Sequence, residues 1–198
     1  MGNTKKIFEE SIKVKLSILD SNSFDVLDQM GLEIVESVLK KGKMLLCGNG
    51  GSAADAQHLV AEMLIRLRPF NNREGIPALT LAQDSSTITA CGNDFGYDRL
   101  YERVLQSIGK EGDVLIVITT SGNSENIVKA ILQAKLMGIK VFGFLGAGGG
   151  RVLELCDKVF LVPSDDTGRI QESHITAGHA LMEYIEDSLL EKGFLHLD

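Results

Sequence analysis

His58 and Glu62 stand four residues apart at the end of the run MLLCGNGGSAADAQHLVAE, from Met44 to Glu62. On a helix this spacing sets them about 40° apart on one face, where a metal ion or a substrate proton can be held between them. A solvated or mutually hydrogen-bonded pair is the alternative at the same spacing. Just upstream, Gly48, Gly50 and Gly51 allow a sharp turn that points backbone amides at an anion. A following helix adds its positive end to that turn. Asn49 and Ser52 bring an amide and a hydroxyl there, and Ser52 is the expected N-cap of a helix starting near Ala53.

A second loop repeats the logic. The apolar run VLIVIT leads into TSGNSEN, so Thr119, Thr120, Ser121, Gly122, Asn123 and Ser124 lie between a strand and a helix. In open α/β sheets, ligands bind beyond the carboxyl ends of strands, which directs both loops to one crevice. N-capping alone is the competing explanation of the hydroxyls. Further on, RIQESHITAGH opens the last helix. Gln171 and His179 differ by about 80° in phase across two turns and can border one cleft. His174, about 140° from His179, reads as a packing or surface histidine. Asn93-Asp94, next to Phe95 and Tyr97, either caps a helix end or bonds sugar hydroxyls. Nucleotide motifs fit poorly. No lysine follows either loop as a Walker motif requires. The formal dinucleotide match at Gly48 lacks an acidic residue at the end of the next strand, since Glu74 comes before it and Asp84 late.

The elements that must hold these residues follow from periodicity. Apolar residues recur at helical spacing from Lys5 to Lys41, broken at Asp20–Ser23, which predicts two N-terminal helices. Short apolar runs at Met44–Cys47, Ile76–Leu81, Val114–Ile118, Val141–Leu145 and Val159–Val162 predict buried strands. Helical stretches at 53–67, 85–92, 97–108, 124–137, 150–155 and 167–192 lie between or after them. The alternation predicts an α/β three-layer sandwich around a five-stranded parallel sheet, plus the two N-terminal helices. These helices exceed what such a sheet needs, which points to subunit contacts.

Composition limits the partners. The chain has 198 residues, 44% apolar and 24% charged, with a net charge of −7. With basic pairs only at Lys5-Lys6 and Lys40-Lys41, it is not expected to bind nucleic acid, while backbone amides can still bind a small anion. Cys47, Cys91 and Cys156 are scattered, without metal-knuckle spacing, and read as buried reduced thiols. The N-terminus lacks a signal-type apolar region, and Lys6 stands where a myristoylation signal on Met1-Gly2 needs Ser or Thr. No apolar stretch approaches the roughly 20 residues of a membrane span. A soluble cytoplasmic protein with no membrane partner is expected.

Taken together, CGNGGS, the His58/Glu62 pair, GNDFG, TSGNS and RIQE…H resemble the phosphoheptose isomerase family, a branch of the sugar isomerase (SIS) fold with flavodoxin-like topology. The resemblance implies one SIS domain over residues 1–198, with 1–42 as helices used in oligomerisation. It implies isomerisation of D-sedoheptulose 7-phosphate to D-glycero-D-manno-heptose 7-phosphate through an enediol(ate), the first step of bacterial heptose-nucleotide synthesis for lipopolysaccharide, capsule or another glycan. It also implies a homotetramer with sites between subunits. By motif match, Asn49, Gly50, Gly51, Ser52, Thr119, Thr120, Ser121 and Ser124 would hold substrate and phosphate, with Glu62, Gln171, Asn93 and Asp94 also on the substrate. His58, Glu62, Gln171 and His179 would form a zinc site, one ion per subunit. On this resemblance Glu62 and His179 would be the catalytic pair, and Asp55 and Arg66 would orient or charge-balance it. Thr119 replaces a more frequent Ser. Gly148, in the loop Gly146–Gly150, stands where many relatives place Asp, which leaves that loop's role open. Two other functions compete: a non-catalytic tetramer of the DnaA initiator-associating type, which shares the fold and much of the motif set, and a sugar-phosphate-binding regulator, against which the intact His58/Glu62/Gln171/His179 set argues. Glu62 favours the enzyme, because the initiator-associating proteins lack that glutamate.

Overall fold

The apolar runs become strands because each must be buried on both faces. In the computed structural model, which describes residues 3–82, 84–146 and 148–197, strands β1 (Met44–Gly48) and β3 (Val114–Thr119) are buried at every position. They are joined by β2 (Ala78–Thr80), β4 (Lys140–Leu145) and β5 (Lys158–Leu161). All pairings are parallel, in the order β2-β1-β3-β4-β5. Alternate residues of the central strands feed two cores. Met44, Leu46, Ile116, Ile118, Phe142 and Phe144 face α2 (Ser23–Leu39), α3 (Gly51–Leu64) and α7 (Thr167–Glu191). Leu45, Cys47, Leu115, Val117 and Val141 face α4 (Ser85–Asp94), α5 (Leu100–Ile108) and α6 (Glu125–Leu136).

The element boundaries moved where local chemistry outweighed periodicity. The helix expected at 53–67 is α3, and it begins earlier because the chain reverses at Gly50, whose φ of 57° suits glycine. Ser52 is therefore not the N-cap but lies buried in the first turn. Its backbone crosses Gly48 so closely that a Cβ there would sit 2.6 Å from the Ser52 carbonyl oxygen. The strand expected at Ile76–Leu81 shortens to β2, following Pro77, which has no N–H for a ladder. The segment 97–108 divides into a 3-10 turn, Tyr97–Arg99, and α5, and 150–155 is also 3-10. Helix α4 runs two residues further than expected, to Asp94, and is capped by Asp84, whose Oδ1 accepts from the Thr87 N–H at 2.7 Å.

The two N-terminal helices differ. Helix α2 contributes Leu27, Met30, Ile34, Val35 and Val38 to the core, whereas α1 (Thr4–Leu19) buries only Ile18 and leaves Phe8 73% exposed, with Ile12, Leu16 and Leu19 beside it. Cys47 and Cys91 are buried and Cys156 half-buried, and all three are free thiols. Burial pushes the Cys156 thiol up to about 12. Among the described residues no helix is long and apolar enough to cross a membrane. Met1, Gly2 and Ala147, parts of the acylation and glycine-loop readings, lie outside the described residues.

Candidate active site

Strand order reverses between β1 and β3, so the loops after these two strands open onto the crevice of a topological switch point. Asn49 ties them together. Its carboxamide pairs reciprocally with that of buried Asn126, Nδ2 donating at 2.9 Å and Oδ1 accepting at 2.8 Å. Tyr97 donates to the same Oδ1 at 2.9 Å, and Tyr101 donates to the Gly48 carbonyl. Asn49 thus spends most of its hydrogen-bonding capacity on holding the loop, keeping one side-chain N–H and its backbone amide for a ligand.

In the second loop the Thr119 hydroxyl accepts from the Gly122 N–H at 3.2 Å, a bond that shapes the turn and is available to Ser or Thr alike. Ser121 accepts from Asn123 at 3.3 Å. Ser124 sits at the N-cap of α6 yet forms no side-chain capping bond. The glycine loop buttresses this turn. Gly122 and Gly150 have φ of 64° and 58°, and Cβ atoms on them would lie 2.0 Å from the Gly149 oxygen and 2.3 Å from the Ser121 oxygen. Gly148 has open space around it and borders a depression with Thr120, Ser121, Asn123, Asp165 and Thr167. Packing thus gives the glycine loop a role that does not need the missing aspartate.

The candidate acid–base residues come from α3 and α7, which lie side by side and advance in the same direction. Gly51 meets Gln171, Leu59 meets Gly178, and His58 meets His179. A Cβ at Gly51 would lie 2.5 Å from Gln171 Nε2, and one at Gly178 would lie 2.7 Å from Leu59 Cδ1. These glycines let the helices approach until His58 Nε2 and His179 Nε2 are 2.8 Å apart, their rings edge to face. One nitrogen must donate and the other accept. Glu62 Oε1 is 3.6 Å from His58 Nε2, and the glutamate side chain is 19% exposed. Asp55 lies near both imidazoles. Burial raises its pKa against the pull of His58 and His179, and its Oδ2 is buried without a partner.

The metal-ligand set can be tested on these distances. Four ligands at 2.0–2.1 Å in a tetrahedron stand about 3.3 Å apart, and 2.8 and 3.6 Å bracket that value. Two imidazoles and a carboxylate also suit zinc chemically. Among the described residues, however, no three His, Cys, Asp or Glu side chains already form a coordination shell. The donors converge without enclosing a point, and Gln171 rests over the Gly51 turn.

Other expected residues fall elsewhere. Arg66 is exposed beyond the end of α3, not one turn along it from Glu62, and makes no ion pair among the described residues. Asn93 donates to Asp94 at 2.7 Å in the last turn of α4, with no described bond from either to the two loops. His174 is a packing residue, buried beside Phe144, and burial lowers its pKa to about 4 against an opposing pull from the Leu145 backbone. Sequence reasoning missed the positioning roles of Asn126 and Tyr101. Asn126 lies within TSGNSEN, where it looked like an ordinary first-turn helix residue.

A two-loop crevice at this switch point, with an acid–base cluster on flanking helices, defines a sugar isomerase domain, and residues 7–146 match the family model described as SIS domain. Within that class the chain belongs to the phosphoheptose isomerase family. It is 44% identical over 193 residues to the phosphoheptose isomerase of Aquifex aeolicus, covering 97% of this chain and 99% of that protein. The solved phosphoheptose isomerase of Francisella tularensis matches with a TM-score of 0.89 at 35% identity, over 94% of this chain and 100% of that one. That of Neisseria gonorrhoeae matches with a TM-score of 0.86 at 35% identity, over 93% and 97%.

Proposed function

We propose that this chain interconverts D-sedoheptulose 7-phosphate and D-glycero-D-manno-heptose 7-phosphate. The observation that carries the reading is the convergence of Glu62 and His179 on His58, across α3 and α7, beside a two-loop anion cradle. Mere binding of a sugar phosphate or a protein has no use for a half-buried carboxylate next to two imidazoles.

Aldose–ketose exchange moves one proton between adjacent carbons and another between their oxygens. Glu62 takes the proton from C1 of the ketose, and the C1–H electrons become the C1–C2 double bond of an enediol(ate). The same carboxylic acid then returns the proton to C2. His179 moves the second proton from the C1 oxygen to the C2 oxygen, leaving an aldehyde at C1. General acid–base groups of this kind contribute about 10²–10⁴ in rate. The amides of Gly50 and Gly51, with the hydroxyls of Thr120, Ser121 and Ser124, hold the phosphate, which lets a chain of net charge −7 bind a dianion. When bound to His58, Glu62, Gln171 and His179, zinc would polarise the substrate carbonyl.

The uncovered apolar stripe of α1 supports a homotetramer. In such an assembly Asn93, Asp94 and Arg66, which make no described bond to the two loops, would serve a site shared between subunits. The product would supply cytoplasmic heptose-nucleotide synthesis. The test is an isomerase assay of the purified chain on sedoheptulose 7-phosphate, with zinc and with chelator. Turnover is expected. Inactivity under both conditions, together with binding to a replication initiator, would overturn the reading.

A further inference from the structure

Glu62 lies two residues before the end of α3, where helix carbonyls lose their intrahelical partners. Two of them, those of Glu62 and Met63, are reached by one buried guanidinium, and the Ile76 N–H also donates to the Met63 carbonyl at 2.9 Å. Arg73, from the loop that follows α3, donates through Nη2 to the Glu62 carbonyl at 3.1 Å and through Nη1 to the Met63 and Glu74 carbonyls at 3.1 and 2.9 Å. Its Nε lies 3.0 Å from Glu186 Oε2, close enough for an ion pair but off the angle of a hydrogen bond. Both side chains are fully buried. Glu186 is fixed in turn on its other oxygen, which accepts from Arg68 Nε at 3.0 Å and from Asn71 Nδ2 at 2.6 Å. Burial alone would raise the Glu186 pKa, but these donors and Arg73 hold it below the usual glutamate value.

The place of Glu186 on α7 gives this network a consequence beyond stability. Glu186 is seven residues after His179, only about 20° away in helical phase, and so on the same face. Arg73 therefore links the backbone of the catalytic glutamate to the helix face that carries the catalytic histidine. At the other end of the helix pair, the Gly51–Gln171 and Leu59–Gly178 contacts set how closely α3 and α7 approach. The Arg73–Glu186 link sets how far one slides along the other.

The geometry points to Arg73 and Glu186 as positioning residues for the isomerase reaction: a buried clamp that fixes the register of α3 against α7 and with it the separation of Glu62 from His179. The inference rests on the isomerase reading above. A plain structural brace would stabilise the fold without favouring Glu62. The clamp instead holds the Glu62 carbonyl itself, and a misplacement of about 1 Å can cost on the order of 10²-fold in rate.

Arg73→Lys keeps a cation facing Glu186 but loses the planar fork that reaches two helix carbonyls. Glu186→Gln keeps the shape and an acceptor while removing the charge. Both variants are assayed on sedoheptulose 7-phosphate with zinc saturating, at a temperature where circular dichroism shows an intact fold. We expect kcat to fall at least tenfold in each while KM stays within twofold, since the phosphate loops are untouched. A lowered melting temperature with kcat and KM both within twofold of wild type would reduce the pair to a structural brace and overturn the inference. Failure of both variants to fold would do the same. An inactive wild type would count instead against the isomerase reading, so the two failures are separable.

Discussion

Replacing Asn126 by alanine removes the amide pair that ties the loop after β1 to the loop after β3. Two hydrogen bonds are lost, at 2.9 and 2.8 Å, each with a net value of about 1 kcal/mol. The Asn49 side chain keeps Tyr97 on its oxygen but loses the partner of its amide. A stranded part-buried donor adds on the order of 1 kcal/mol, so the total loss of stability is about 2–4 kcal/mol. If about 1 kcal/mol of this falls on ordering the loops for phosphate, KM for sedoheptulose 7-phosphate rises roughly fivefold. Turnover at saturation stays within about threefold of wild type, because Glu62 and His179 are on other contacts. Asn126→Asp should raise KM further, since it turns a carboxylate toward Asn49 Oδ1 and toward a bound dianion. Urea denaturation and steady-state kinetics on the same preparations measure both quantities. An unchanged KM in a variant destabilised by 2 kcal/mol or more would show that the pair does not organise the phosphate loops.

Gly178→Ala places a methyl group 2.7 Å from Leu59 Cδ1. Overpacking of about 1–3 kcal/mol is offset by about 1 kcal/mol of helix propensity, so denaturation should show a net loss of up to about 2 kcal/mol, with a lower kcat because His58 adjoins Leu59. His174 is neutral in the fold, its pKa lowered from 6.5 to about 4. Its contribution to stability is therefore complete above pH 6.5 and is lost as pH falls toward 4, about 3 kcal/mol in all. His174→Leu should flatten the stability profile by about 2 kcal/mol between pH 7 and pH 4.5, as read by urea denaturation at the two values. Chelation should abolish turnover, and zinc should restore it at one equivalent per chain by elemental analysis. Full activity of metal-free protein would remove the ion from the mechanism.

The parallel sheet was legible because strands covered on both faces have unbroken apolar sequences, as in MLLCG and VLIVIT. The i, i+4 relation of His58 and Glu62 was also legible, since helical phase is a local property. Their distance from His179 was not, because it depends on Gly51 admitting Gln171 and Gly178 admitting Leu59, contacts between segments far apart in the chain. The misplaced cap at Ser52 has the same kind of cause. A serine ahead of an apolar periodicity reads as a cap, but the positive φ of Gly50 starts the helix two residues earlier. Arg66 does not stand one helical turn after Glu62 as expected, because α3 ends at Leu64, where Arg73 takes up the Glu62 and Met63 carbonyls. Arg73 itself left no sequence signal, since it sits in an aperiodic loop and its partner, Glu186, lies on the last helix.

The central claim is that Glu62 is the base that moves the carbon-bound proton. Glu62→Gln preserves the size of the side chain and its place beside His58 but cannot accept that proton. Steady-state turnover of sedoheptulose 7-phosphate by this variant, with zinc saturating and the fold verified, is the direct measurement. The account predicts a fall in kcat of about 10²–10⁴ with substrate affinity within a few-fold of wild type; a Glu62→Gln enzyme with undiminished kcat would contradict it.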